Sequence, residues 1–154
     1  MALPTYFYGS VFAKAFNGQI NYTSDTIKIA LVGSGYTPNR NTQGAWSTVS
    51  TYEVSGAGYT AGGQALSGKA LSYASYKLKI DANDVTWTGL TASARYAVVY
   101  DDTATGKPLI GYVDFGETLE LSNEDFTIEF SFFESDPDSG AITTGSGLFE
   151  IEVS

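Results

Sequence analysis

The chain has 154 residues and contains no Cys and no His, so thiol nucleophiles, the usual neutral-pH base and the commonest zinc ligands are excluded. Its formal net charge of -9 opposes contact with nucleic-acid phosphates or anionic lipid. The 43% share of hydrophobic residues argues against disorder, and a chain of this length fits one domain that folds without disulfides or metal.

The N-terminus, MALPTYFYGSVFAKAF, is apolar but has no basic n-region. Pro4, Thr5, Gly9, Ser10 and Lys14 interrupt its apolar run, so no signal peptide is expected. Pro4 and the strand formers Tyr6, Phe7 and Tyr8 predict an extended segment. SVFAKAFNG then predicts a short helix over Val11–Asn17, with Ser10 as a cap and Gly18 at the C′ position. Residues 26–32 alternate, placing Ile27, Ile29 and Leu31 on one side of a strand. Residues 34–45 read as a polar loop, and 46–54 fit helix or strand. Gly56, Gly58, Gly62 and Gly63 mark a turn or bulge.

Residues 65–80 predict one or two strands broken at Gly68. A DAND turn and a short strand at Val85–Trp87 come next. RYAVVYD and LIGYVDF, joined by DTATGKP, predict a hairpin within residues 95–115. Further strands are expected at 125–133 and 148–153, separated by an acidic, Gly-rich loop over 134–147. No run reaches the roughly 18 apolar residues of a membrane span. The expected fold class is mainly β, an antiparallel sandwich or barrel with one or two short helices. Residues 1–9 form an extended arm and 10–154 a single β-sandwich domain.

Few residues suggest chemistry. Asp101 with Asp102, Glu117 with Glu120, and Glu134, Asp136 and Asp138 are the carboxylate groupings a glycosidase would need. They fall mostly in predicted turns, where water keeps them ionised. Asp81, Asn83 and Asp84, and Asp136, Asp138 and Ser139, offer oxygen ligands for calcium without EF-hand spacing; ordinary Asx-turn chemistry is the favoured explanation. The glycines of SGAGYTAGG lack the Lys-Ser/Thr of a phosphate loop. Asn21-Tyr22-Thr23 matches a glycosylation sequon, with no secretion signal beside it. No catalytic residue, metal or cofactor is expected.

The partner-contact candidates are Leu3, Tyr6, Phe7, Tyr8 and Arg40. An apolar arm suits strand addition to a neighbour, and Tyr and Phe make good interface anchors. An ordinary first strand of the chain's own sheet is the alternative. In so acidic a chain, Arg40 and Arg95 are each expected to meet a carboxylate, within a subunit or between subunits.

The motifs FNGQI (16–20), SDTIKIAL (24–31), YTP (36–38), EVSGAGYTAGGQAL (53–66), DANDVTW (81–87), ARYAVVY (94–100), PLIGYVDFG (108–116) and DFTI (125–128) carry a resemblance. Over roughly residues 11–130 the chain resembles a widespread group of small proteins encoded among the virion structural genes of tailed bacteriophages and prophages. The aromatic N-terminal arm and the acidic 134–147 loop depart from that pattern. The resemblance implies a non-enzymatic virion component, made in the host cytoplasm. The first expectation is a capsid decoration (cement) protein on the capsid exterior. It would bind the major capsid protein, touch neither nucleic acid nor membrane, and form homo-oligomers, with trimers favoured. The alternative is a tail or head-fibre adhesion module that binds host glycans through Trp46 and Tyr36. A cell-wall glycoside hydrolase is a third reading, resting on the acid pairs alone.

Overall fold

A computed structural model of the chain describes residues 5–74, 77–135, 142–146 and 149–152. Strand β2 (Ile27–Val32) sits inside a five-stranded antiparallel sheet of order β1-β7-β6-β2-β3. The other members are β1 (Thr5–Phe7), β3 (Gln64–Ala65), β6 (Val85–Asp101) and β7 (Leu109–Ile128). Both faces of β2 are covered. Ile27, Ile29 and Leu31 join one apolar cluster, as their alternation predicts, while Ala30 and Val32 join a second cluster on the opposite face. Burying each large aliphatic side chain contributes about 1.5–3 kcal/mol.

The predicted hairpin is present and far longer than expected. β6 and β7 form one antiparallel ribbon in which Val85 pairs with Ile128 and Tyr100 with Leu109. The segments expected as separate strands near Trp87 and Phe126 are its distal end, with Trp87 opposite Phe126. Register shifts between Trp87 and Leu90, Leu90 and Ala92, Ala94 and Tyr96, and Val99 and Tyr100 break the alternation along the ribbon. Such bulges bend and twist the strands. They let one hairpin serve both apolar clusters.

The first cluster includes Trp87, Leu90, Val99, Ile110 and Phe115, with Val11 of the helix and Leu66. Against it lies Ile80 of β5 (Lys77–Asp81). This strand belongs to a three-stranded sheet of order β10-β5-β4, made with β4 (Ala70–Ala74) and β10 (Phe149–Glu152). β8 (Ser131–Ser135) and β9 (Ile142–Ser146) form a separate pair. Mainly antiparallel β structure is the observed class. The second cluster is aromatic: Tyr8, Tyr36, Trp46, Tyr100 and Tyr112. The 46–54 stretch resolves into two 3-10 turns, Trp46–Thr48 and Ser50–Tyr52, which cover this face.

The predicted helix is α1 (Ser10–Phe16). Gly18 N–H donates to Ala15 O and Gln19 N–H to Lys14 O, the paired bonds of a Schellman ending. Ser10 does not cap: it lies in the first turn after the N-cap Gly9, and its Oγ is buried without a partner. In the glycine-rich turn, Gly63 has φ +76°, and a Cβ there would lie 2.0 Å from Ile29 O. Close approach to β2 requires glycine at this position.

The extended arm needs correction over the residues described. Thr5, Tyr6 and Phe7 pair with Val113, Tyr112 and Gly111 of the chain's own β7, and Tyr8 is fully buried. Residues 5–7 are therefore an integral first strand leading into a buried Tyr8, and not a detached arm. The reason is physical: Phe7 and Tyr8 have apolar clusters to enter on the two faces.

Candidate functional site

Two of the five sequence-selected residues, Tyr6 and Phe7, meet a third, Arg40, at the end of β1, and Tyr8 follows directly in the chain. Leu3 lies outside the described residues. The Arg40 Nε–H donates to Phe7 O (2.7 Å), and the guanidinium stands over the Tyr6 ring at 5.5 Å from its centroid. Gly9 N–H donates back to Arg40 O (3.0 Å). Arg40 is thus tied to β1 by main chain and side chain at once.

The loop carrying Arg40 is fastened from below. The Tyr8 hydroxyl bonds the Tyr36 hydroxyl (2.6 Å), which donates to Gln43 Oε1 (2.5 Å); Asn39 N–H donates to the same Gln43 oxygen (2.8 Å). Asn39 Oδ1 accepts from Asn41 and Thr42 N–H (3.1 and 3.2 Å), closing an Asx-type turn around Arg40. Burial raises both phenols, Tyr36 to about 12 and Tyr8 well beyond its ordinary value. Both stay neutral and serve as hydrogen-bonding struts. The Tyr8 side chain is therefore a support for the loop and not an exposed contact.

Above these struts opens a polar cavity of about 490 Å³ lined by Gly9, Pro38, Asn39, Arg40, Asn41 and Tyr112. Tyr112 packs against both Tyr6 and Tyr8, with ring centroids 5.1 and 5.4 Å apart. Burial raises its phenol, while the Arg40 charge acts the other way. Tyr112 is not among the site residues that the sequence singles out. Its place in β7 opposite Tyr6 depends on a pairing that alternation alone does not reveal.

Arg40 and Arg95 differ in one respect. Arg95 also stands over a tyrosine, Tyr96, at 4.8 Å, and its guanidinium is ion-paired with Asp114 across the ribbon. Arg95 thus meets its carboxylate within the chain. Among the described residues Arg40 has no carboxylate partner.

The remaining candidates are placed as follows. Asp81 Oδ1 accepts Ala82 N–H within its own turn, while Asp84 Oδ1 accepts Phe130 N–H and Asn83 donates to Ser67 Oγ, so these side chains tie the turn to neighbouring segments. Glu120 accepts the Ser93 hydroxyl across the ribbon. Asp136, Asp138 and Ser139 lie outside the described residues. Among the described residues no three acidic side chains gather as a metal site. Trp46 is stacked on Tyr100 (4.3 Å, 5°) and, like Tyr36, is buried. Neither offers a free face to a sugar, which removes the residues chosen for glycan binding. Comparison with protein-family models, curated proteins and solved structures gave no match.

Proposed function

We propose that this chain is a non-enzymatic structural component of a tailed-phage particle, a decoration protein that docks on the major capsid protein through the Arg40 surface. The observation that carries the docking site is Arg40 itself. In a chain of net charge -9, one guanidinium is fixed on a β-strand and left without an acid among the described residues. The half-exposed Tyr6 beneath it adds an aromatic anchor of the kind enriched at protein interfaces. The phage assignment rests on the resemblance of the sequence motifs to those of virion structural proteins. The acidic surface suits the outside of a shell rather than packaged DNA. Several copies, as a trimer, gain avidity from individually modest contacts.

The test has two parts. Quantitative mass spectrometry of purified virions should find this chain at copy numbers approaching those of the major shell protein. Arg40→Ala and Tyr6→Ala proteins, shown to be folded, should each bind undecorated shells at least tenfold more weakly. A handful of copies per particle would favour the tail or fibre role. Undiminished binding by both variants would remove this surface from docking.

A further inference from the structure

The docking reading leaves open what Arg40 meets. We propose that the Arg40 pocket is a carboxylate receptor, taking one Asp or Glu side chain of the protein partner on the outer edge of the guanidinium. The proposal rests on the docking reading and specifies the group recognised.

The guanidinium has five N–H donors in a planar fork. Its Nε–H is spent on Phe7 O, and Tyr6 lies against its face. Its Nη groups have no acceptor among the described residues. A guanidinium held at Nε, with its Nη donors uncommitted, suits bidentate recognition of a planar anion.

The walls suit the same anion. Asn39 spends its oxygen on the Asn41 and Thr42 amides, so its NH2 end is the part left for a ligand. Among the described residues the Asn41 side chain and the Tyr112 hydroxyl have no hydrogen-bond partner, and no carboxylate lines the cavity. The pocket therefore offers one positive charge and several neutral donors.

The molecule also contains a filled version of this arrangement. At Arg95 an arginine over a tyrosine is completed by the Asp114 carboxylate. At Arg40 the arginine and the tyrosine are present, and the partner's carboxylate would supply the third member. One guanidinium with neutral amides balances a monoanion. A polyanion such as nucleic acid would meet repulsion from the net charge of -9. The cavity is open and wet, so a single contact is weak and useful mainly in multiple copies.

The experiment uses the full chain, isotopically labelled, titrated with sodium acetate and, at matched ionic strength, with sodium chloride and inorganic phosphate. The Arg40 Nε–H and the Gly9 and Asn41 backbone amides are followed by NMR. Acetate should give a saturable shift that chloride does not. That shift should vanish in Arg40→Ala and weaken about tenfold in Arg40→Lys, which keeps the charge and loses the fork. No acetate response, an equal chloride response, or tighter binding of phosphate than acetate would each overturn the proposal. Shell binding separates this from the docking reading. If Arg40→Ala loses shell binding while acetate is silent, the carboxylate assignment falls alone. If acetate binds but Arg40→Ala still decorates shells normally, the docking reading falls and the receptor stands.

Discussion

Asp101 and Asp102 are consecutive, yet their carboxyls are held in opposite electrostatic states. Asp102 is gripped by two ammonium groups, Lys107 Nζ at 2.7 Å and Lys28 Nζ at 3.0 Å, which hold it below the usual carboxylate range. Asp101 is completely buried, and burial pushes it up to about 6. Its Oδ1 accepts the Thr103 and Ala104 N–H groups. Its Oδ2 is buried without a hydrogen-bond partner, and the neighbouring Asp25 charge, itself near Lys69, pushes in the same direction. A buried carboxyl oxygen with no donor, close to a second negative charge, favours the protonated form.

The two neighbours therefore pull stability in opposite directions with pH. Asp101 titrates higher in the fold than in the unfolded chain. Its contribution is full below about pH 4 and is lost as pH rises through about 6. Asp101→Asn can keep the turn bonds through its side-chain oxygen and carries no charge to bury. It should raise stability at pH 7 by roughly 1–2 kcal/mol and flatten the decline between pH 4 and 7. Urea melts across that range provide the measurement, and an unchanged slope would count against burial as the cause of the raised Asp101 value.

Asp102 titrates lower in the fold, so its contribution is present above the ordinary carboxylate range and fades as pH falls through its depressed value. Asp102→Asn should cost about 1 kcal/mol at pH 7, because the lysines sit on a partly exposed surface. The loss should shrink in high salt and at low pH. Equal losses at low and high salt would show that packing rather than charge sets the effect.

Tyr8 supports the Arg40 loop from inside. Tyr8→Phe removes the hydroxyl that bonds Tyr36 and should cost about 1–2 kcal/mol. It should also weaken shell binding without touching the exposed surface. Thermal melts and binding measured on the same sample separate the two effects. Removing residues 1–9 altogether should unfold or strongly destabilise the protein, because β1 and the buried Tyr8 go with them.

Gly63→Ala should be among the most damaging single substitutions. Its Cβ collides with the Ile29 carbonyl, and its φ is left-handed, so a loss of at least about 2 kcal/mol is expected. Gly106→Ala is the control. Its φ is similar, at +79°, but nothing lies within 4 Å of the added carbon. It should cost only about 1 kcal/mol, and similar losses at both sites would mean the close approach to Ile29 is relieved elsewhere.

Residues 27–31 and the 95–115 hairpin were legible because local alternation and turn residues coincide there. α1 was legible through Phe12, Phe16 and the glycine that ends it. The continuity of β6 and β7 was not, because bulges and the positive-φ positions Gly89, Gly116 and Asn123 interrupt the period. Tyr36 and Trp46 read as exposed because their neighbours are polar. In the fold their loop lies over an apolar sheet face that only the assembled strands create. Tyr6, Phe7, Tyr8 and Arg40 were each visible as candidates. Their meeting was not, since some thirty residues separate the two stretches and nothing local encodes the contact.

That separation has a consequence for assembly. The pocket draws on Gly9, on residues 38–41 and on Tyr112, three stretches joined only after β1 has zipped onto β7 and the tyrosine struts have closed. A half-finished copy carries all the same amino acids but no fork, no walls and no opening. On the proposed docking role, recognition at this place would inspect the state of the chain as well as its identity: a shell recruiting through it would admit finished copies and pass over the rest.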